Sequence, residues 1–141
     1  MNNLFKIWIR YEKLLENEKI KKMYSLYLFE AVNFSDAETL ANEAIEKQSM
    51  RNAYITSITR VSYEQIIEEL EGVWYEVSVD QYLENEAGKE QIVPAIFLML
   101  AAGVGEADKY MTEYFKEDSY ESVIKAIKDS KICDYFKLKI E

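Results

Sequence analysis

The sequence predicts an α+β fold built from two tandem β-β-α-β units. The pattern of apolar residues repeats at an offset of 70 residues, which aligns Ala37 with Ala107. Segments with apolar residues at every second position alternate with segments of helical spacing. Aromatic residues make up 13% of the chain, including 11 tyrosines, and they favour strands. We expect a single domain over residues 1–141, with one antiparallel or mixed sheet of about six strands and two helices on one face.

The first copy spans residues 4–67. Its first strand has an apolar face with a period of two, carried by Phe5, Ile7 and Ile9. A hairpin loop at residues 16–19 leads into a long second strand around Leu26. The helix has apolar residues at i, i+3, i+4, i+7 and i+8, namely Ala37, Leu40, Ala41, Ala44 and Ile45. Ser35 with Glu38 has the spacing of a capping box at its start.

The second copy spans residues 74–136 and repeats this order. Its helix positions are Ala107, Tyr110, Met111, Tyr114 and Phe115. After the helix the offset becomes 69, which aligns Ile55 with Ile124 and Ile67 with Phe136. The connection at residues 68–72 is too short, and too unlike a Gly/Ser linker, to separate independent domains. We therefore expect the two copies to share one core.

The residue types present argue against an enzyme. The chain has no histidine, which removes the commonest general base and metal ligand and the usual partner of a nucleophile. Four glycines cannot supply a dinucleotide fingerprint or a phosphate-binding loop. The lone Cys133 stands beside Asp134, which disfavours a thiolate, so we interpret it as a structural thiol. We expect no catalytic residue, no metal site and no cofactor.

The charge is acidic and uneven. The formal net charge is −9, with −2 in residues 1–70 and −7 in residues 71–141. An acidic surface repels nucleic acid and anionic membranes on average. The chain has no signal peptide pattern, and its most apolar run, residues 92–104, is too short to cross a bilayer. We expect a cytoplasmic protein with no membrane association.

One strand combines an aromatic residue with two cations. Lys6, Trp8 and Arg10 alternate along the first strand and should project on the face opposite Phe5 and Ile7. A tryptophan between cations on an exposed sheet is a layout that stacks unpaired bases. The second copy has Glu76, Ser78 and Asp80 there. We favour the alternative that a neighbouring chain covers the tryptophan.

The second strands carry apolar residues on both faces. If the helices cover the side of Leu26, another cover is needed for a candidate interaction face formed by Trp8, Tyr27, Phe29, Phe97 and Met99. A partner chain would supply that cover, and closure of the sheet into a half-barrel is the alternative.

Several segments resemble a known family. They are Ile9-Arg10-Tyr11-Glu12-Lys13, Ser35-Asp36-Ala37-Glu38, Ile55 to Ile58 with Arg60, Tyr63-Glu64-Gln65-Ile66-Ile67 and Trp74-Tyr75-Glu76-Val77-Ser78-Val79. Together they are similar to a family of short proteins classed as a domain of unknown function in Bacteroidetes-type bacteria and their bacteriophages. The resemblance implies a phage or prophage source and assigns no activity or functional residue.

These observations predict a non-enzymatic binding or accessory protein that associates through an apolar sheet face with a protein partner or as a homodimer, and the resemblance implies that it is phage-encoded. A narrower version is an acidic phage protein that blocks a basic surface of a host factor. The alternative is a single-stranded nucleic-acid-binding protein that uses Lys6, Trp8 and Arg10, although the net charge disfavours it.

Overall fold

The computed structural model describes residues 3–138. Within that range the chain forms eight strands and two helices, which confirms the α+β class. In chain order they are β1 (Asn3–Leu14), β2 (Ile20–Ala31), α1 (Phe34–Lys47), β3 (Arg51–Val61), β4 (Gln65–Ile67), β5 (Val73–Glu84), β6 (Glu90–Ala101), α2 (Val104–Phe115), β7 (Glu121–Asp129) and β8 (Ile132–Phe136).

The strands form two sheets of four, and the prediction of one sheet of about six strands is wrong. The first sheet has the order β3-β1-β2-β8, and the second has the order β4-β6-β5-β7. The described residues divide into two units accordingly: the first contains residues 3–62 and 132–138, and the second contains residues 63–131. The sheets are separate because each long hairpin pairs within its own unit.

Two short strands are exchanged between the sequence halves. Strand β8, near the end of the chain, pairs in parallel with β2, so that Phe136 lies opposite Phe29. Strand β4, which follows β3 in sequence, pairs in parallel with β6, so that Ile67 lies opposite Met99. Each sheet is therefore completed by residues from the end of the other predicted repeat.

The antiparallel pairings have matching registers. Phe5 pairs with Phe29 in the first sheet, and Tyr75 pairs with Met99 in the second, at an offset of 70 residues. A bulge interrupts the pairing with the third long strand after Trp8 in the first sheet and after Ser78 in the second. The same bulge therefore re-aims the edge strand of both sheets.

Each unit has a core between its helix and one face of its sheet. In the first unit Phe5, Ile7, Ile9 and Phe29 pack with Ala37 and Ala41 of α1. In the second unit Val77, Val79, Phe97 and Met99 pack with Ala107 and Met111 of α2. The helix positions are those predicted from the spacing of apolar residues. Small alanines on each helix allow close approach to the large side chains of the strands.

The helix starts differ from the predicted capping box. Asn33 is the N-cap of α1, and its side chain accepts a hydrogen bond of 2.8 Å from the Asp36 amide. Asp36 in turn accepts a bond of 3.0 Å from the Val32 amide. Ser35 already lies inside the helix, so the predicted cap was two residues late. The second helix has Gly103 at this position and lacks a side-chain cap.

Candidate functional site

The aromatic and basic residues predicted on the first strand do share one face of the first sheet. Lys6, Trp8 and Arg10 alternate with Phe5, Ile7 and Ile9, which are fully buried beneath α1. The side chains of Lys6, Trp8 and Arg10 therefore lie on the side away from the helix. Farther along this side, Leu26 and Leu28 of β2 are also buried. The exposed part of the face begins at Trp8 and extends toward the hairpin turn.

Two tyrosines that were not predicted complete this exposed region. Arg10 pairs with Tyr24 on β2 and with Tyr54 on β3, so the three side chains cross the sheet in one row. Tyr24 is 58% exposed, Tyr54 is 51% exposed and Trp8 is 36% exposed. We call Trp8, Arg10, Tyr24 and Tyr54 the aromatic patch. It presents three large rings on adjacent strands.

The arginine at the centre of the patch is held in place. Its guanidinium lies 5.3 Å from the centre of the Tyr54 ring. It also lies 4.0 Å from the carboxylate of Glu12, and the Arg10 side chain is only 13% exposed. Lys22 pairs with Glu12 across the hairpin. Glu12 therefore offsets part of the charge of Arg10, and the guanidinium packs against the Tyr54 ring as well as presenting a cation.

The second unit has no such patch. The residues at the matching positions are Ser78, Asp80, Pro94 and Val123. Asp80 lies 4.0 Å from the ammonium of Lys125 on β7. A polar strand and a proline thus replace the rings. The aromatic patch belongs to the first unit.

The predicted apolar interaction face does not form a surface. Phe29, Phe97 and Met99 are buried in the two cores because the helices cover the side of Tyr27 rather than the side of Leu26. The pairing of Phe5 with Phe29 and of Ile7 with Tyr27 places these residues on the same face, beneath α1. Trp8 lies on the opposite face. Phe29, Phe97 and Met99 are therefore core residues and not part of an interaction face.

Tyr27, which was also predicted to belong to the interaction face, is half-buried on the helix side of the first sheet. Its ring centre lies 5.9 Å from that of Phe136 on β8. Burial raises the pKa of the Tyr27 hydroxyl above its ordinary value of 10.0. The hydroxyl therefore stays neutral at physiological pH and acts as a packing and hydrogen-bonding group.

The described residues offer neither a metal-binding cluster nor a membrane-spanning helix. Residues 3–138 hold no group of three or more Cys, Asp or Glu side chains placed to bind a metal ion. No helix in that range is long and apolar enough to span a bilayer. Cys133, interpreted from sequence as a structural thiol, is exposed on β8 and forms no disulfide. The aromatic patch is accordingly the candidate site that the described residues offer on the sheet faces.

Comparisons with known proteins place the chain in a family. No curated protein and no solved structure matches it. One family model matches residues 3–138, which include both sheets and both helices. The chain therefore belongs to the family described as Domain of unknown function (DUF4494).

Proposed function

We propose that this chain is a non-enzymatic binding protein that associates with a protein partner through the aromatic patch. The observation that carries the proposal is the row of Tyr24, Arg10 and Tyr54 beside Trp8 on one rigid sheet face. Tryptophan, tyrosine and arginine are the residues most enriched among those that dominate protein interfaces. Exposed aromatic rings on paired strands lose little conformational freedom when they are covered.

Self-association is tested first, because a second copy is the partner expected from the sequence. Light scattering coupled to size exclusion, over a wide range of protein concentration, should detect a dimer of the wild-type chain. Tyr24→Asp combined with Tyr54→Asp should convert it to a monomer, because two carboxylates in the buried centre of an interface cost several kcal/mol. Ile92→Asp is the matched control, since Ile92 is 56% exposed on the hairpin of the second unit.

A hetero-partner is tested by site-specific crosslinking. A photoreactive phenylalanine analogue in place of Tyr24 should give one discrete crosslinked product in host cells, and the same analogue at Ile92 should give none. If the wild-type chain is monomeric and neither position gives a specific product, the proposal fails.

The acidic charge suggests a narrower version of this function. A formal charge of −9 favours a basic partner surface, such as that of a nuclease or another host defence factor. The resemblance to proteins of Bacteroidetes-type bacteria and their phages fits a phage-encoded inhibitor that acts in the host cytoplasm. The crosslinked product identified by mass spectrometry should then be a basic host protein.

A second candidate is binding of single-stranded nucleic acid. Three exposed rings near Lys6 and Arg10 form a stacking surface of the kind that holds unpaired bases. The ion pair of Arg10 with Glu12 counts against it. Fluorescence anisotropy with labelled oligothymidine and oligouridine at low and moderate salt tests it. Binding that weakens with salt and is lost in Trp8→Ala would favour this candidate, and no signal at low salt would eliminate it.

We also infer that the chain arose by duplication of one β-β-α-β unit, spanning residues 4–67 and 74–136. The matching hairpin registers and the matching bulges support this inference. The copies keep the same core positions and differ at the aromatic patch. One binding surface per chain is therefore expected rather than two equivalent surfaces.

A further inference from the structure

A groove runs beside α1 on the helix side of the first sheet, and its volume is about 500 Å³. Its floor includes Phe29 of β2 and Phe136 of β8, whose ring centres are 4.7 Å apart with planes inclined by 14°. Leu40 and Ala44 of α1 form one wall, and Leu138 lines the other end. A mainly apolar cavity of this size is typical of sites that bind small molecules.

The groove is open because one helix covers only part of a four-stranded sheet. Neighbouring strands lie about 4.8 Å apart, and a helix with its side chains is about 10 Å across. Helix α1 packs against β1, β2 and β3, whereas β8 lies on the far side of β2. The helix-facing side of β8 at Phe136 is therefore beside the helix rather than beneath it.

The second unit carries larger side chains at the corresponding helix positions. Tyr110 and Tyr114 of α2 stand where Leu40 and Ala44 stand in α1. The Tyr114 ring packs 6.1 Å from the Phe97 ring, between ring centres, and its hydroxyl hydrogen-bonds the side chain of Gln65. The second unit thus has a larger side chain, Tyr114, at the helix position where the first unit has Ala44.

The charges around the two positions also differ. Lys47 lies exposed in the last turn of α1 at the end of the groove. Lys137 also lines the groove, with its ammonium 5.9 Å from the centre of the Tyr135 ring, and Glu43 is the single acid among the lining residues. The matching depression of the second unit is lined by Glu113, Glu117 and Asp118. Two lysines and one acid therefore line the groove, whereas three acids and no lysine line the matching depression.

We infer that this groove binds a medium-chain fatty acid, with the hydrocarbon chain over Phe29 and Phe136 and the carboxylate beside Lys47. From Leu40 to Lys47 the helix wall extends about 11 Å, which suits an extended chain rather than a compact ring. The half-buried side chains of Leu40, Phe136 and Leu138 contribute affinity through the apolar area that the ligand covers, and the exposed ammonium selects a negative head group. The site is separate from the aromatic patch, which lies on the other face of the sheet.

Binding is tested by titrating the full chain with decanoate, below its aggregation concentration, in a calorimeter and by amide NMR. Decanoate should saturate one site and shift amide resonances of Ala44, Gln48 and Phe136. Decylammonium has the same chain and the opposite charge, and it should bind at least about tenfold more weakly. Equal binding of the two amphiphiles, or no saturable binding of decanoate, would overturn the inference.

Two substitutions copy the second unit into the first. Ala44→Tyr should place a ring in the wall of the groove, where Ala44 now leaves room for the hydrocarbon chain, and weaken decanoate binding by about tenfold or more. Lys47→Glu, at an exposed position that does not endanger folding, should weaken it by about fivefold. Lys116→Glu in the second unit is the matched charge control and should leave binding unchanged. Unchanged affinity in Lys47→Glu, or in an Ala44→Tyr chain with a native amide spectrum, would refute the assigned position.

Discussion

The attachment of the exchanged strand β4 can be tested through one hydrogen bond. The Tyr63 hydroxyl donates to the Glu76 carboxylate of β5 over 2.7 Å, just before β4 begins. A hydrogen bond to a charged acceptor contributes about 1.5–3 kcal/mol to folding. Both side chains are only partly buried, so Tyr63→Phe should cost about 1.5 kcal/mol of the free energy of unfolding at pH 7. Urea denaturation followed by circular dichroism measures it.

The pH dependence of the same pair provides a second test. Burial, and then the hydrogen bond to Glu76, raise the pKa of Tyr63 well above the ordinary value of 10.0. The stability that the neutral hydroxyl contributes is therefore complete below pH 10, and it is lost as the pH rises above 10 because the unfolded chain then ionises. Each pH unit above that point should lower the free energy of unfolding of the wild type relative to Tyr63→Phe by at most about 1.4 kcal/mol, because solvent screens this partly exposed pair.

The control is Tyr24→Phe, which removes an exposed hydroxyl and should change stability at pH 7 by less than about 0.5 kcal/mol. If Tyr63→Phe unfolds at the wild-type urea concentration at pH 7, the bond does not anchor β4. A wild-type advantage that persists undiminished at pH 11 would contradict the assigned cause.

Three further substitutions probe the fold. Gly72→Ala should lower the free energy of unfolding, measured by urea denaturation, by at least about 2 kcal/mol, because Gly72 has a φ of 133° and a Cβ there would overlap the Ala101 carbonyl. A decrease of less than about 0.5 kcal/mol, which is typical of a surface substitution, would refute this. Asn33→Ala should lower the free energy of unfolding by about 1 kcal/mol through loss of the α1 cap, whereas Gly103→Ala should cost less because no side-chain bond is lost. Phe136→Ala should lower the free energy of unfolding by about 2 kcal/mol and increase the rate of amide hydrogen exchange in β2. Unchanged exchange in β2 would argue against its pairing with β8.

Part of the candidate site could have been predicted from the sequence of the first hairpin. A turn at residues 15–19 pairs Phe5 with Phe29 and Arg10 with Tyr24. That register places Phe29 on the buried face and Tyr24 in the patch. The prediction went wrong because it used the alternation of each strand separately, without the register that joins them.

The position of Tyr54 in the aromatic patch could not be predicted from strand alternation and register. Pairing of Trp8 with Ser57, extended without interruption, would place Arg10 opposite Ile55. The bulge after Trp8 shifts the register by one residue and brings Tyr54 opposite Arg10 instead. Strands β1 and β3 contain no glycine that would indicate a bulge in the sequence. The core positions of the helices, in contrast, followed directly from their spacing.

The two-sheet architecture was not predictable from local pattern either. Residues 65–67 and 132–136 are short, mainly apolar segments. Their composition indicates extended structure, but it does not indicate which strand each of them pairs with. Their partners β6 and β2 are chosen by packing in the folded units. The single-sheet expectation assumed that each segment stays with its own copy.

The strand exchange constrains the order in which the chain can complete its fold during synthesis. The second unit is contiguous, residues 63–131, so all of its strands are synthesised before β8. The first unit starts earlier in the chain, but its sheet cannot be completed until β8 is synthesised, because Phe136 of β8 is 107 residues beyond its partner Phe29. Its groove floor and its fourth strand are therefore added last. A nascent chain stalled before residue 132 should present β2 as an open edge, available to chaperones or to another copy.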